Sequence, residues 1–368
     1  MKSNPSSGEM NEDLAEWRGQ IDALDTQLLQ ILEARAKCAL EVGEIKKRNG
    51  WPFHDPAREK LIYQKLRQKQ LDLGGVLPPE AITAIFREII SACRAAEHPT
   101  TVAYLGPAGT NTQEAAMQFF GSAIRAIPCA TPDEACHEVA SGRAEYAVIA
   151  IENSIHGLVS ANLDLLAHTN LTICAEVEIP IHHFLLSNVE LGRVGVVYSH
   201  EQGIAQCKNW LLAHVPGASL VPVTSTARGA EMAAREDNAA AIGSALAANI
   251  YGLQIAASHI EDLSGNKTRF FVVSTPEKAP KPTGRDKTSL TFLTPHKSGA
   301  LVEVLGVFAS HGVNISMIQS RPSRQQAWEY RFFADISGHC EDEKLTAALK
   351  SLENHTVSYK IIGSYPEA

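Results

Sequence analysis

The chain has 368 residues, too long for one compact core and suited to two or three domains. A net charge of −8 argues against broad affinity for nucleic acid, and no uninterrupted apolar run is long enough to span a bilayer. Seven cysteines without C-x-x-C spacing and a polar stretch over residues 1–11 point to reduced thiols and no export signal, hence a cytoplasmic protein.

Residues 12–97 read as helix almost throughout. Leu14, Ile21, Leu24, Leu28, Leu32, Leu40 and Val42 recur at three- to four-residue spacing. No proline falls between Glu12 and Trp51, which allows a helix of roughly thirty-five residues, about 50 Å long. Asn49-Gly50-Trp51-Pro52 stops it. Asp55-Pro56 opens a second helix, Gly74-Gly75 ends that one, and Pro78-Pro79-Glu80 opens a third. One long and two shorter helices make a poor solitary core, which favours a homodimer or higher homo-oligomer. Arg35 and Lys46, about three turns apart, share a face of the first helix. Arg18 lies about 25 Å before Arg35 at ideal helix geometry, so it suits a partner's site in an antiparallel dimer. Asp55, Arg58 and Glu59 share a face of the second helix, and Cys93 and Glu97 form an i, i+4 pair on the third.

Over residues 100–277 the period changes to short apolar runs (102–105, 147–151, 194–198 and 239–242) alternating with helical stretches, the pattern of α/β structure with mostly parallel strands. Thr131-Pro132-Asp133-Glu134 is a helix-cap signal. Gly106-Pro107-Ala108-Gly109-Thr110 joins a strand to a helix and offers free N–H groups to an anion. Glu152-Asn153-Ser154, Ser199-His200-Glu201-Gln202 and Ser225-Thr226-Ala227 sit at strand ends, where such sheets place ligand groups. His182-His183 reads as packing rather than a metal site, because no acidic or cysteine ligand stands at suitable spacing. Thr268-Arg269-Phe270 sets a hydroxyl, a cation and a ring at the edge of an apolar run, a combination suited to an anionic, ring-shaped ligand. Residues 277–287, rich in proline and lysine, read as a linker. Strands at 289–293, 314–319, 328–336 and 357–362, with helices at 299–311 and 343–353, give a βαββαβ order over residues 288–365, the ferredoxin-like α+β plan.

The helical motifs (Leu14-x3-Arg18-x2-Ile21-x2-Leu24-Asp25, Arg35, Glu41-Val42-Gly43-x2-Lys46 and Asp55-x2-Arg58-Glu59) resemble the all-helical chorismate mutases. That resemblance implies a Claisen rearrangement of chorismate to prephenate, a reaction served by holding the reactive conformer and stabilising charge on the ether oxygen. It implies that Arg35 and the partner's Arg18 grip the two carboxylates. Lys46 would bond a carboxylate and the ether oxygen, and Asp55 and Glu59 would orient the hydroxyl, with Arg58 beside them. Cys93 stands where a serine is frequent, and Glu97 where a glutamine often donates to the ether oxygen. A glutamate can donate only when protonated.

The G-P-x-G-T, E-N-S, S-H-x-Q, S-T-A and N-K-T-R-F motifs together resemble prephenate dehydratase, whose fold is two α/β lobes like those of periplasmic binding proteins. The implied reaction removes carbon dioxide and water from prephenate to give phenylpyruvate. Thr268 would be the essential hydroxyl, Arg269 an anion ligand and Phe270 an apolar wall. Asn153, Ser154, Ser199, Gln202, Ser225 and Thr226 would line the cleft.

Gly299-Ala300-Leu301-Val302 and Gln319-Ser320-Arg321-Pro322 are similar to the effector motifs of ACT domains in phenylalanine-regulated dehydratases, the second closing the pocket from a neighbouring subunit. Gln319 replaces the usual glutamate. The combined expectation is a bifunctional chorismate mutase–prephenate dehydratase inhibited by L-phenylalanine, needing no metal or organic cofactor. The alternatives are an arogenate-preferring dehydratase and a non-catalytic amino-acid sensor.

Overall fold

The computed structural model describes residues 7–51, 54, 56–322 and 330–367. The chain divides into two compact units, residues 1–100 with 121–123 and the remainder. In the first, α1 (Ser7–Asn49), α2 (Pro56–Asp72) and α3 (Pro79–Glu97) pack with α1 and α2 each against α3. At 43 residues α1 outruns the expected thirty-five chiefly at its start, Ser7 rather than Glu12, and it ends as expected before Gly50, which takes a left-handed φ of 65°. Gly43 lets α3 approach closely: a Cβ there would stand 3.0 Å from Glu97 Cγ. Leu14, Trp17, Ile21, Leu24, Leu28 and Ile31 are all exposed, so α1 carries an apolar face that one chain leaves uncovered. No described helix is long and apolar enough to cross a membrane.

The second unit begins with β1 (Thr101–Leu105), α4 (Asn111–Phe120), β2 (Arg125–Cys129), α5 (Pro132–Ala140), β3 (Tyr146–Asn153), β4 (Gly157–Leu158), α6 (Ser160–His168) and β5 (Thr172–Pro180). Thr131 caps α5 by accepting from Glu134 N–H. The chain then builds a second lobe from β6 (Phe184–Ser187), β7 (Val196–Ser199), α7 (Glu201–Gln206), α8 (Lys208–His214), β8 (Ser219–Pro222), α9 (Thr226–Ala233), β9 (Ala239–Gly243), α10 (Ala245–Tyr251) and β10 (Ile255–Ala257), with sheet order β10-β6-β9-β7-β8. It returns to the first lobe as β11 (Lys267–Ser274), giving the order β2-β1-β3-β11-β5 with β4 beside β3. The strands are less parallel than their spacing suggests. β11 runs antiparallel to both β3 and β5, and β6 runs antiparallel to β9 and β10. The reason is the double crossing: a strand that returns from the other lobe enters the sheet from the opposite end.

The C-terminal module comprises β12 (Asp286–Leu293), α11 (Ala300–Ser310), β13 (Ile315–Pro322), β14 (Tyr330–Ser337), α12 (Glu343–Leu352) and β15 (Ser358–Pro366), with sheet order β13-β14-β12-β15. This is the expected βαββαβ plan. Trp328, placed at the start of a strand from sequence, lies outside the described residues. Asp286 and Lys287 belong to β12 rather than to the linker, and Asp286 accepts the Thr283 and Gly284 N–H groups.

The module shares a core with the first lobe. Ile173 and Phe271 of that lobe pack in one cluster with Phe333, Ile362 and Tyr365 of the module. At Gly363 the chains come so close that a Cβ would stand 2.5 Å from Ile173 O. A buried charge group sits at this junction. Arg269 Nη2 lies 2.7 Å from Glu176 Oε2, Arg269 Nη1 lies 2.7 Å from Asp335 Oδ2, and Lys287 Nζ lies 2.7 Å from Glu176 Oε1. Ser289 donates to Asp335 at 2.5 Å. Two cations and two carboxylates thus balance in a largely buried site. Removing one member of such a group strands a buried charge and costs about 3–5 kcal/mol. Asp335→Ala in the full chain is expected to lower the urea midpoint of the second unit's unfolding accordingly. An unchanged midpoint would show that the ion group contributes nothing to holding the module.

Candidate functional site

Among the described residues, the sequence motifs gather at three cavities. In the helical unit, a cavity of about 300 Å³ is lined by Arg35, Lys46, Arg58, Glu59, Cys93, Arg94 and Glu97, over an apolar floor that includes Val42 and Ile90. The three helices therefore bring together six of the residues singled out from sequence. Arg18 is exposed and does not line this cavity, and Asp55 lies outside the described residues. Arg94 is the residue the sequence reading missed. It is buried and pairs with Glu59 Oε1 at 2.6 Å; its signal was the i, i+3 relation to Glu97.

Four cations face two carboxyl groups here, a surplus suited to a dicarboxylate. The two carboxyls differ. Burial raises the pKa of Glu59, but hydrogen bonding and charge from His54, together with Arg94, outweigh it and leave it below the ordinary value, so it remains an acceptor. For Glu97 burial wins over the opposing charges of Lys46, Arg94 and Arg35, and its pKa is raised. Its buried Oε2 has no hydrogen-bond partner among the described residues.

The second site is a cleft of about 420 Å³ walled by both lobes. β3 and β11 supply Asn153, Thr268 and Phe270, while Gln202, Ser225 and Thr226 come from the other lobe. The register pairs Thr268 with Asn153 across the two strands. Asn153 Nδ2 donates to Thr268 Oγ1 at 2.9 Å and to Asn266 Oδ1 at 2.7 Å. The amide is locked because its Oδ1 accepts two backbone N–H groups, from Ile155 and His156, each at 3.1 Å. With Oγ1 already accepting, the Thr268 hydroxyl proton is left to donate into the cleft.

Three expected residues take other positions. Arg269 does not line the cleft. Adjacent strand residues face opposite sides, so it turns away from Thr268 into the buried ion group with Glu176 and Asp335. Ser199 is fully buried beneath the wall and donates to Ile242 O at 2.9 Å. Ser154 accepts the Lys267 N–H at 2.9 Å and braces the strand pair. Conversely, His156, His183, Gln206 and Asn266 line the cleft without having been assigned to it. The His183 ring contacts Gln206 Oε1 at 2.6 Å, and Gln206 Nε2 meets His156 Nε2 at 2.8 Å. Burial holds the His183 pKa below the usual imidazole value. These residues lie on loops and a helix end whose convergence no local pattern encodes.

The third site, of about 250 Å³, is lined by Gly299, Ala300, Leu301 and Val302 with Thr294, Lys297, Tyr330 and Phe332. Gly299 occupies the cap of α11 with φ 79°, a left-handed conformation that favours glycine. Gln319, Ser320, Arg321 and Pro322 are absent from its walls. They lie on β13, an outer strand of the module's sheet, and Arg321 reaches Asp164 Oδ2 at 3.1 Å.

A cationic helical cavity, a two-lobed α/β cleft and a ferredoxin-like module on one chain define a multidomain enzyme acting on small anionic substrates. Family models agree domain by domain: Chorismate mutase type II matches residues 17–98, Prephenate dehydratase residues 102–278, and ACT domain residues 288–354. The bifunctional chorismate mutase/prephenate dehydratase of Aquifex aeolicus is 43% identical over 359 residues, covering 97% of this chain and 99% of that one. The protein of the same description from Stutzerimonas stutzeri is 40% identical, covering 97% and 98%. The crystal structure of prephenate dehydratase in complex with L-Phe from Arthrobacter aurescens is 39% identical with a TM-score of 0.68, over 73% of this chain and 90% of that one. The chain belongs to the bifunctional chorismate mutase/prephenate dehydratase family. It is an enzyme of phenylalanine biosynthesis with an isomerase domain, a lyase domain and an ACT regulatory domain.

Proposed function

We propose that the helical cavity rearranges chorismate to prephenate and that the two-lobed cleft converts prephenate to phenylpyruvate, with L-phenylalanine as the effector at the ACT module. The Asn153–Thr268 hydrogen bond carries the dehydratase reading. As the ring carboxylate departs as carbon dioxide, its bonding pair enters the ring and the hydroxyl leaves, taking one proton from the solvent to become water. Thr268 donates a hydrogen bond to that leaving oxygen, and Phe270 packs against the ring. With Arg269 turned away, the N-termini of α4 and α9, whose first residues line the cleft, supply N–H groups for the carboxylates. None of the described lining residues is acidic, so the cleft offers no carboxylate to an arogenate ammonium, which favours prephenate as substrate.

In the helical unit, Arg35, Arg58 and Lys46 hold the carboxylates and Glu59 accepts from the substrate hydroxyl. Protonated Glu97 donates to the ether oxygen. The exposed apolar face of α1 supports a homodimer in which the partner's Arg18 completes the cavity. The outer strand β13 is likewise placed to meet a neighbouring subunit, bringing Gln319 and Arg321 to its effector pocket.

Thr268→Ala is expected to lower phenylpyruvate formation from prephenate by about 10²–10³-fold, the scale of losing one hydrogen bond to developing charge. Asn153→Ala should lose less, and both variants should keep wild-type turnover of chorismate. A Thr268→Ala protein as active as wild type would overturn the assignment. Because Glu97 donates only when protonated and its pKa is raised, mutase activity should fall as pH rises through that pKa. Glu97→Gln should flatten the profile, and a wild-type profile that is already level would refute the donor role. L-Phenylalanine should inhibit wild type more weakly than Gln319→Glu, measured as the concentration giving half inhibition; an equal or higher concentration for the variant counts against the proposed contact.

A further inference from the structure

Away from these sites, three metal-ligating side chains converge where the chain passes between the lobes. His182 lies on the outgoing crossover after β5, and His259 and Glu261 lie on the return after β10. His182 Nδ1 is 2.9 Å from Glu261 Oε1 and 3.1 Å from His259 Nδ1, and His259 Nδ1 is 3.7 Å from Glu261 Oε1. Sequence spacing offers His182-His183 no acidic ligand, but the fold brings Glu261 to His182 from 79 residues away. His183 itself turns to Gln206, as packing.

The spacing has a chemical meaning. Donor atoms held 2.0–2.2 Å from a tetrahedral ion stand roughly 3.3–3.6 Å apart, and the three observed separations bracket that range. Without an ion, at most one proton can lie between the His182 and His259 Nδ1 atoms, 3.1 Å apart, so the three donor atoms compete for imidazole protons. A cation at the same point satisfies all three. The carboxylate is already oriented for this, because Glu261 Oε2 accepts the His183 N–H at 3.0 Å and leaves Oε1 to the rings. His259 is held at φ 54°, and among the described residues it is the one non-glycine with positive φ. The Glu261 side chain is 7% exposed, while the rings of His182 and His259 are 40% and 59% exposed, which leaves an open side for a water ligand.

We propose that His182, His259 and Glu261 bind one divalent transition-metal ion of the zinc class, tying the two interlobe crossovers together. Two imidazoles and one carboxylate favour Zn²⁺, Co²⁺ or Ni²⁺ over Mg²⁺ or Ca²⁺, which prefer oxygen ligands throughout. The clip stands one residue from the cleft wall, since His183 lines the cleft and its backbone holds Glu261.

Full-length protein stripped with a chelator and titrated with Co²⁺ should develop the intense visible bands of a tetrahedral site, saturating at one ion per chain. Zn²⁺ should then displace them. His259→Asn, chosen because asparagine tolerates the left-handed backbone, and Glu261→Gln should each weaken Zn²⁺ at least tenfold in competition with a chromophoric chelator. Zn²⁺ should raise the melting temperature of wild type and not of the variants. If a variant melts early in chelator, His182→Asn gives a second reading of the same loss. Absence of the tetrahedral Co²⁺ bands in wild type, or equal Zn²⁺ affinity in wild type and variants, would overturn the proposal.

Discussion

The antiparallel insertion of β11 between β3 and β5 is the constraint on which the second unit depends. It closes the first lobe's sheet with a strand arriving from the second lobe, so the sheet is complete only when both crossings have been made. The same pairing sets Thr268 opposite Asn153. Because successive side chains alternate across a sheet, it also sends Arg269 to the other face. One strand therefore presents a hydroxyl to the cleft and a cation to the ACT module at consecutive positions.

The charges at the two faces obey different rules. In the cleft the polar groups are amides, hydroxyls and imidazoles, oriented by backbone N–H groups and by one another. At the module junction they are full charges, nearly buried and balanced, with Tyr365 and Ser289 filling the remaining hydrogen-bonding positions. Burying ions is unfavourable unless each is paired. The junction is thus selective for one docking geometry, because a displaced module would carry Asp335 away from Arg269 and Lys287 away from Glu176. In the helical unit the balance is deliberately unequal, and the surplus of cations is what a dianionic ligand would neutralise.

Local pattern made much of this legible. The helical spacing of Leu14 through Val42, the cap at Thr131 and the proline at the start of α3 all found their elements. Family motifs led to six residues of the cleft wall (Asn153, Gln202, Ser225, Thr226, Thr268 and Phe270) and to Gly299 through Val302 of the module's pocket. What stayed hidden depends on partners distant in the chain. Nothing near Arg269 announces that Glu176 and Asp335 will claim it. Ser199 reads like a cleft residue because it follows a strand, yet Gly203 packs over it: a Cβ at Gly203 would stand 2.7 Å from Ser199 Oγ. Arg94 gains its place in the cavity only through Glu59, which α2 brings to it. Periodicity reports which face of an element is apolar; it does not report which element that face meets.

The close approach at Gly363 has a mechanical consequence. Proteins ordinarily separate packed sheets by a layer of side chains, whose rotamers can absorb small displacements much as a cushion does. Here β15 and β5 meet with almost nothing between their backbones at that point, and Thr172 Oγ1 bonds Ile362 O at 3.2 Å beside it. The joint consequently behaves like meshed gears without backlash. A fraction of an ångström of travel in the module's edge strand is travel in β5, and β5 is the strand against which the Thr268 segment is registered.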